Sequence, residues 1–234
     1  AAVRNVKRMI EDGELGDILY IHSRRVNLGI VRRDINAMWN LAPHDLSIVG
    51  YLFGDDPTRV TARGLTYLQE GLPDVVFLTV DYPGGLAAHI HVSWLDPQKV
   101  RAMTIVGTKK MVVYDDMSLD AKVQVYDKGV DVVGRNDNDR PAPGFGEYQT
   151  VVRSGDLLVP QIDFEEPLRT ECVHFVDCIA NGSRPVSDGW DGLRVVAVLE
   201  AAERSMANDG APVDVGLDAY RSLAGPTRPE RPTD

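Results

Sequence analysis

Residues 75–94 read VVFLTVDYPGGLAAHIHVSW, two runs rich in β-branched and aromatic residues on either side of a Pro-Gly-Gly turn. Runs of this kind, bounded by turn residues, predict a β-hairpin. Comparable runs continue on both sides of it and predict further strands at residues 18–26, 59–68, 100–107, 109–114 and 122–126. Because the connections are mostly short, we expect an antiparallel meander rather than β-α-β crossovers.

Helical patterns flank these strands. Val6 and Ile10 recur at helical spacing, and Gly13 predicts the end of that helix. Pro43 predicts the first turn of a second helix, which runs to about Phe53. Two further helices are predicted at residues 167–180 and from 188 to about 206. This order of elements indicates an α+β fold, with a large open and mostly antiparallel sheet that is covered by helices on one face.

The same segments divide the chain into three parts. Residues 1–12 form a first helix, residues 13–217 form one domain, and residues 218–234 form a charged, Pro-rich tail. Residues 128–147 are rich in Gly, Asp, Asn and Pro and predict a long surface loop, after which short strands are predicted at residues 148–152 and 157–159. The open sheet leaves one face to be covered, and a second copy of the chain would cover it. We therefore expect a homo-oligomer.

Composition excludes several kinds of partner. The net charge is −10, from 25 Lys and Arg against 35 Asp and Glu, which argues against general nucleic-acid binding and against anionic membranes. No apolar run approaches the roughly 18 residues of a membrane span, and the first residues do not form a signal peptide. Cys172 and Cys178 make no disulfide framework, so we expect a reducing, cytoplasmic setting.

The motifs that bind nucleotide phosphates are missing from the sequence. No G-x-G-x-x-G stretch lies between a predicted strand and a predicted helix, and there is no P-loop. The glycine clusters at residues 83–85 and 144–146 fall in predicted turns. The chain opens without methionine inside a helical pattern, from which we expect a segment of a longer protein.

The densest group of chemically useful side chains lies between the first strand and the second helix. It comprises Arg25, Asn27, Arg32, Asn36, Trp39, Asn40 and His44. His44 follows Asn40 by one helical turn, so the two would share a helix face. An imidazole that titrates near neutral pH can accept a proton from a hydroxyl while a hydride leaves the same carbon. A histidine near a helix start is also often a cap or a packing residue, and the residue pattern leaves that alternative open.

A metal site is a weaker hypothesis. His89 and His91 would lie on one face of a strand, but zinc requires a third protein ligand. His22 and His174 have no supporting spacing. We therefore expect no metal, and we interpret the two histidines as part of a polar patch on the face used for subunit pairing.

Five motifs, in order along the chain, resemble those of one family. They are residues 13–18 (GELGDI), residues 39–48 (WNLAPHDLSI), Ser93-Trp94 before Pro97, residues 105–110 (IVGTKK) before Tyr114, and Arg184-Pro185-Val186 before Asp191 and Glu200. The second of them is similar to the Trp-Asp-x-x-x-His-Asp segment of the glucose-fructose oxidoreductase, inositol 2-dehydrogenase and rhizopine-catabolism (Gfo/Idh/MocA) family. The resemblance extends from the first residue to about Leu217.

The resemblance implies a C-terminal domain similar to those of dihydrodipicolinate reductase and glyceraldehyde-3-phosphate dehydrogenase. In the family, an N-terminal Rossmann domain binds NAD or NADP and supplies a catalytic lysine from a Glu-Lys-Pro motif, and this sequence contains neither. Residues 1–12 would then be the remnant helix of the interdomain segment. The chain alone would be inactive, although the intact parent would be an NAD(P)-dependent sugar dehydrogenase.

The resemblance also implies roles for the candidate residues. His44 matches the histidine that acts in proton transfer at the sugar hydroxyl. Asn40 replaces an acidic residue, so it can orient His44 but cannot stabilise an imidazolium by charge. Arg25, Asn27, Arg32, Asn36 and Trp39 would line the substrate side. The stretch from Arg25 to Trp39 is most similar to members that act on nucleotide-linked sugars, whose diphosphate suits the planar fork of arginine.

Two other functions remain open on the sequence. The first is a non-catalytic binding or assembly module that shares the fold, which the replacement at Asn40 favours. The second is a metal-dependent hydrolase that uses His89 and His91, which stoichiometric zinc in the purified protein would support.

Overall fold

The computed structural model describes residues 1–133, 149–163 and 166–221. Its helices are α1 (Ala2–Glu11), α2 (Ala37–Phe53), α3 (Pro167–Asn181), α4 (Gly189–Ala207) and α5 (Leu217–Arg221), with a short 3-10 turn at Pro83–Gly85. Its strands are β1 (Ile18–Val26), β2 (Arg59–Leu65), β3 (Val75–Asp81), β4 (Ala87–Ser93), β5 (Val100–Gly107), β6 (Met111–Asp115), β7 (Val123–Val133), β8 (Gln149–Leu158) and β9 (Val213–Asp214). Residues 134–147 of the predicted surface loop and residues 222–234 of the predicted tail lie outside the described ranges.

These strands form one sheet in the order β8-β7-β6-β5-β1-β4-β3-β2-β9. β1 is parallel to β4, and the other neighbouring pairs are antiparallel. The prediction of a large, mostly antiparallel sheet is confirmed. The prediction of a simple meander is wrong at the centre of the sheet, because β1 lies between β4 and β5. After β1 the chain passes through α2, β2 and β3 before β4 pairs with β1. The central position of β1 brings its C-terminal end close to the ends of β4 and β5.

The helices cover one face of this sheet. Alternate strand residues such as Ile21, Leu78 and Ile105 are fully buried under α2 and α4, and Val6 of α1 joins the same core. The opposite face carries Tyr20 and other side chains that remain half-exposed. The α+β fold with helices on one face is therefore confirmed. Among the helices of the described ranges, none is both long and apolar enough to cross a membrane.

The second helix begins earlier than its proline predicts. Pro43 was expected in the first turn, but α2 starts at Ala37 and contains Pro43 in its interior. The start is fixed by Asn36, whose side-chain oxygen accepts a hydrogen bond from the backbone N–H of Trp39 at 3.0 Å. A proline inside a helix removes one backbone donor, and tertiary packing against the sheet offsets that loss. The earlier start places His44 well inside a helix instead of at its first turn.

The last two long strands also differ from the prediction. β7 continues to Val133, beyond Lys128 where the loop was expected to begin. β8 is one strand, where two short strands were predicted at residues 148–152 and 157–159. The two strands pair with each other over most of their length. Pairing between segments distant in sequence supplies backbone hydrogen bonds that local composition does not reveal.

Candidate functional site

His44 lies near the middle of α2 and is solvent-exposed, and the residue after it, Asp45, contacts Arg25 of β1. Partial burial lowers the pKa of His44 below its ordinary value, and the positive charge of Arg25 lowers it further. The negative charge of Asp45 raises the pKa of His44 in part, and the positive charge of Arg101 lowers it further. The lowered pKa favours the neutral imidazole, which is the form that can accept a proton.

A buried network fixes the helix turn that carries His44. Arg25 Nε donates to Asp45 Oδ2 at 2.6 Å, and Arg25 Nη2 donates to Asp45 Oδ1 at 3.4 Å. Ser23 Oγ donates to Asp45 Oδ1 at 2.7 Å. Arg25 and Asp45 are both almost fully buried, and an unpaired charge there would have a large desolvation cost. Each residue neutralises the charge of the other. The network joins α2 to β1 directly beside the imidazole.

Asn40 is held in place by the sheet. Its side-chain oxygen accepts a hydrogen bond from the indole N–H of Trp94 at 3.1 Å, and Trp94 is buried just after β4. The bond requires an acceptor at this position, which an amide and a carboxylate both provide. Asn40 therefore faces the same region as His44 through a contact that the sequence did not predict.

Among the other predicted substrate residues, Asn27 directly follows β1, where its backbone N–H donates to the carbonyl of Ser93 at 3.1 Å, and the rest lie nearer the N-terminal end of α2. Trp39 donates through its indole N–H to Glu203 of α4 at 2.7 Å, and Asn36 is the helix cap. Arg32 pairs with Asp34 through two hydrogen bonds of 2.9 and 2.6 Å in the exposed loop before α2. The structure thus joins His44 to Arg25 through Asp45, and places Arg32 and Trp39 in separate contacts.

Four residues of the site were missed by sequence reasoning: Arg101, Tyr114, Asp116 and Lys122. Arg101 lies opposite Arg25 in the antiparallel register of β5 and β1, so both side chains are on the helix-covered face. Its guanidinium is 3.7 Å from Asp116, which also accepts hydrogen bonds from Lys122 at 3.4 Å and from the Tyr114 hydroxyl at 3.2 Å. Only the strand register brings them together, and no sequence motif signals it.

A cavity of about 430 Å³ lies along α2 one turn beyond His44. Ser47 and Ile48 of α2 line one part of its wall, and Tyr114, Asp116 and Lys122 line another. Burial alone would raise the pKa of Asp116, but Lys122, Tyr114 and Arg101 together lower it, so the carboxylate stays charged. The region next to His44 therefore offers room and fixed charges for a polar ligand.

His89 and His91 project from the opposite, open face of the sheet. The His89 ring stacks on His22 with centroids 5.7 Å apart, and the His91 ring stacks on Phe77 at 4.4 Å. Among the described residues, no group of three or more His, Cys, Asp or Glu side chains is arranged to hold a metal ion. The two histidines lie on the opposite side of the sheet from His44.

Comparison with known proteins identifies a family model and several relatives that this chain matches. Residues 3–113 match the family model described as GFO/IDH/MocA C-terminal domain. Over these residues the chain is similar to the GFO/IDH/MocA family, which is the resemblance that its motifs indicated.

Three relatives illustrate the match. The chain is 24% identical over 229 residues to the uncharacterized oxidoreductase YrbE of Bacillus subtilis, covering 91% of this chain and 59% of the relative. It is 24% identical over 238 residues to scyllo-inositol 2-dehydrogenase (NAD(+)) of the same organism, covering 96% and 61%. The crystal structure of UDP-N-acetylglucosamine 3-dehydrogenase from Acidithiobacillus ferrooxidans superposes with a TM-score of 0.63 at 21% identity, covering 88% and 61%. The chain thus spans about three fifths of the length of its relatives.

Proposed function

We propose that this chain is the substrate-binding and oligomerisation domain of an NAD(P)-dependent oxidoreductase that oxidises a secondary hydroxyl of a sugar or nucleotide sugar. The observation that carries the proposal is the exposed imidazole of His44, on the turn of α2 that the Ser23–Arg25–Asp45 network fixes to β1. An exposed imidazole one helical turn from a cavity is suited to accept the hydroxyl proton of a bound sugar.

The chain's own residues position the substrate and handle the proton. Asp45 and Arg25 fix the turn of α2 on which His44 stands, and Asn40 fixes the face beside it. The sequence has no glycine fingerprint for a dinucleotide, so the fit of NAD or NADP to this chain alone is poor. We place the cofactor on a domain elsewhere in the natural protein, and when bound it would accept the hydride.

An exposed apolar stripe supports a covering domain. Leu168, Phe175, Val176 and Ile179 lie at helical spacing on α3, and each is more than half exposed. A contiguous apolar stripe on a surface helix marks an interaction site. A cofactor domain packed against α3 would bury the stripe.

The substrate assignment rests on chemistry and on two relatives' names. One relative is named for scyllo-inositol and another for UDP-N-acetylglucosamine, and both compounds carry rings with several hydroxyls. Arg25, Asn27, Arg32, Asn36 and Trp39 stay our proposed substrate residues. Arg25 and Asn36 are buried, so we assign them to positioning, whereas Arg32 is exposed in a loop that can approach a diphosphate.

The open sheet face supports self-association. Tyr20 and Phe77 are large side chains left partly exposed there, and a second copy of the chain would cover them. We also place the protein in the cytoplasm, since its two cysteines are free.

The proposal is tested with the natural protein at the length its gene encodes. We expect it to reduce NAD or NADP in the presence of at least one compound from a panel of inositols, aldoses and nucleotide sugars, followed by the absorbance of the reduced nicotinamide. The 234-residue chain alone is expected to give no turnover. If the natural protein neither turns over any panel member nor binds either cofactor by calorimetry, the non-catalytic module that Asn40 favours is the correct function.

A further inference from the structure

Two arginines lie side by side beneath His44, but their charges are compensated very differently. Arg25 on β1 is opposite Arg101 on β5, and both face the helices. Arg25 donates two hydrogen bonds to Asp45 and is almost fully buried. The Arg101 side chain is 41% exposed, and its contact with Asp116 is 3.7 Å. Among the residues that the structure describes, the Arg101 guanidinium donates no hydrogen bond, although it has five N–H donors.

The carboxylate near Arg101 is already shared. Asp116 accepts hydrogen bonds from Lys122 at 3.4 Å and from Tyr114 at 3.2 Å. Arg25, Arg101 and Lys122 thus face Asp45 and Asp116, and the cavity wall beyond them carries Arg4 and Arg194 against Asp120, Asp163 and Asp191, so the charges balance. The free N–H donors of Arg101, and not an excess of positive charge, are therefore what this region offers to an anion.

We propose that Arg101 binds an oxyanion of the substrate, a carboxylate or a phosphate group carried by the sugar whose hydroxyl meets His44. This inference rests on the proposed function and adds the substrate class, an anionic sugar derivative. The planar fork of arginine matches two oxygens of either group, and Asp116, which lies 3.7 Å from Arg101, borders a cavity of about 430 Å³. Arg101 thereby takes the role that the sequence suggested for Arg25, whose fork is already occupied by Asp45.

Anion binding at Arg101 has a consequence for the base. Burial lowers the pKa of His44 first, then Arg25 and Arg101 lower it through their charge. An oxyanion on Arg101 would neutralise part of that charge and raise the pKa of His44, which makes it a stronger base when substrate is bound. The substrate would therefore help to activate its own proton acceptor.

The test is an NMR titration of the His44 imidazole in the 234-residue chain, in sulfate, acetate and chloride at equal ionic strength. In the wild type, sulfate or acetate should raise the pKa of His44 by about 0.5 relative to chloride. A larger effect of sulfate assigns a phosphate group, and a larger effect of acetate assigns a carboxylate. Arg101→Gln should raise the pKa of His44 in chloride and abolish the response to both anions.

The matched control is Arg59→Gln. Arg59 is a half-exposed arginine 3.9 Å from Asp81 on the opposite face of the same sheet, and its replacement should change neither the pKa of His44 nor the anion response. If Arg101→Gln does not fold, Arg101→Lys keeps the charge, and it should keep the low pKa while weakening the sulfate response. An unchanged anion response in the Arg101 variant, or none in the wild type, overturns the proposal.

Activity of the natural protein separates this inference from the proposed function. Arg101→Gln should raise KM for an oxyanion-bearing sugar by about 10- to 100-fold with little change in kcat. If turnover depends on His44 but KM is unaffected at Arg101, the proposed function stands and this inference fails. If turnover does not depend on His44, the proposed function fails, whatever the titration shows.

Discussion

Replacing His44 with Gln is expected to lower kcat of the natural enzyme by about 10²- to 10⁴-fold. Glutamine has a similar reach and can still donate and accept hydrogen bonds, but it cannot take up a proton. Because the ring is exposed and is not in the hydrophobic core formed by the described residues, the variant should melt at the same temperature as the wild type. Steady-state kinetics under saturating cofactor and sugar measure the loss. A variant with more than half of the wild-type kcat would contradict the assignment of His44 as the base.

The pH dependence of kcat/KM should also identify His44 as the base. Burial and the neighbouring arginines lower the pKa of His44 below the ordinary 6.5, so the neutral base is present above that lowered pKa. The rate of alcohol oxidation, measured as kcat/KM, should rise with pH to a plateau, with its midpoint below 6.5. On acidification the imidazole becomes protonated and the rate should fall. In the His44→Gln variant this acid limb should disappear.

Asp45→Asn is expected to lower the free energy of unfolding by about 3–5 kcal/mol. The carboxylate accepts hydrogen bonds from Arg25 and Ser23, and removing its charge leaves the guanidinium of Arg25 buried without a counter-charge. Urea denaturation of the 234-residue chain, followed by circular dichroism, measures the change.

The matched control is Asp81→Asn, which removes the partner of Arg59 at 3.9 Å on the surface. Solvent screens an exposed pair, so this variant should cost at most about 1 kcal/mol. The double variant Arg25→Met with Asp45→Leu should recover part of the stability, since neither buried charge remains. Equal costs for Asp45→Asn and Asp81→Asn would show that the buried network does not hold α2 on the sheet.

The sequence predicted most strands correctly because the alternating runs between residues 59 and 114 are bounded by clear turn residues. It misplaced the start of α2 because Pro43 is a strong local signal, whereas the cap at Asn36 is one polar residue among several in the loop. The central, parallel position of β1 could not be predicted, since it depends on long-range pairing with β4 and β5.

The residues of the candidate site were also only partly predictable from the sequence. His44 and Asn40 could be found because they lie in one short motif on one helix. The contact of Asn40 with Trp94, and the approach of Arg101 to Arg25, join residues far apart in the chain. The sequence could not reveal that Asp45 already occupies the guanidinium of Arg25, so it could not separate a positioning role of Arg25 from direct contact with substrate.

The most direct measurement is the distance, in a crystal structure of the natural protein with cofactor and substrate, from the His44 imidazole to the hydroxyl oxygen that is oxidised. We expect an imidazole nitrogen of His44 within about 3.2 Å of that oxygen. If the imidazole points away from the sugar and another side chain contacts that oxygen, the proposed role of His44, and with it this account of the site, is contradicted.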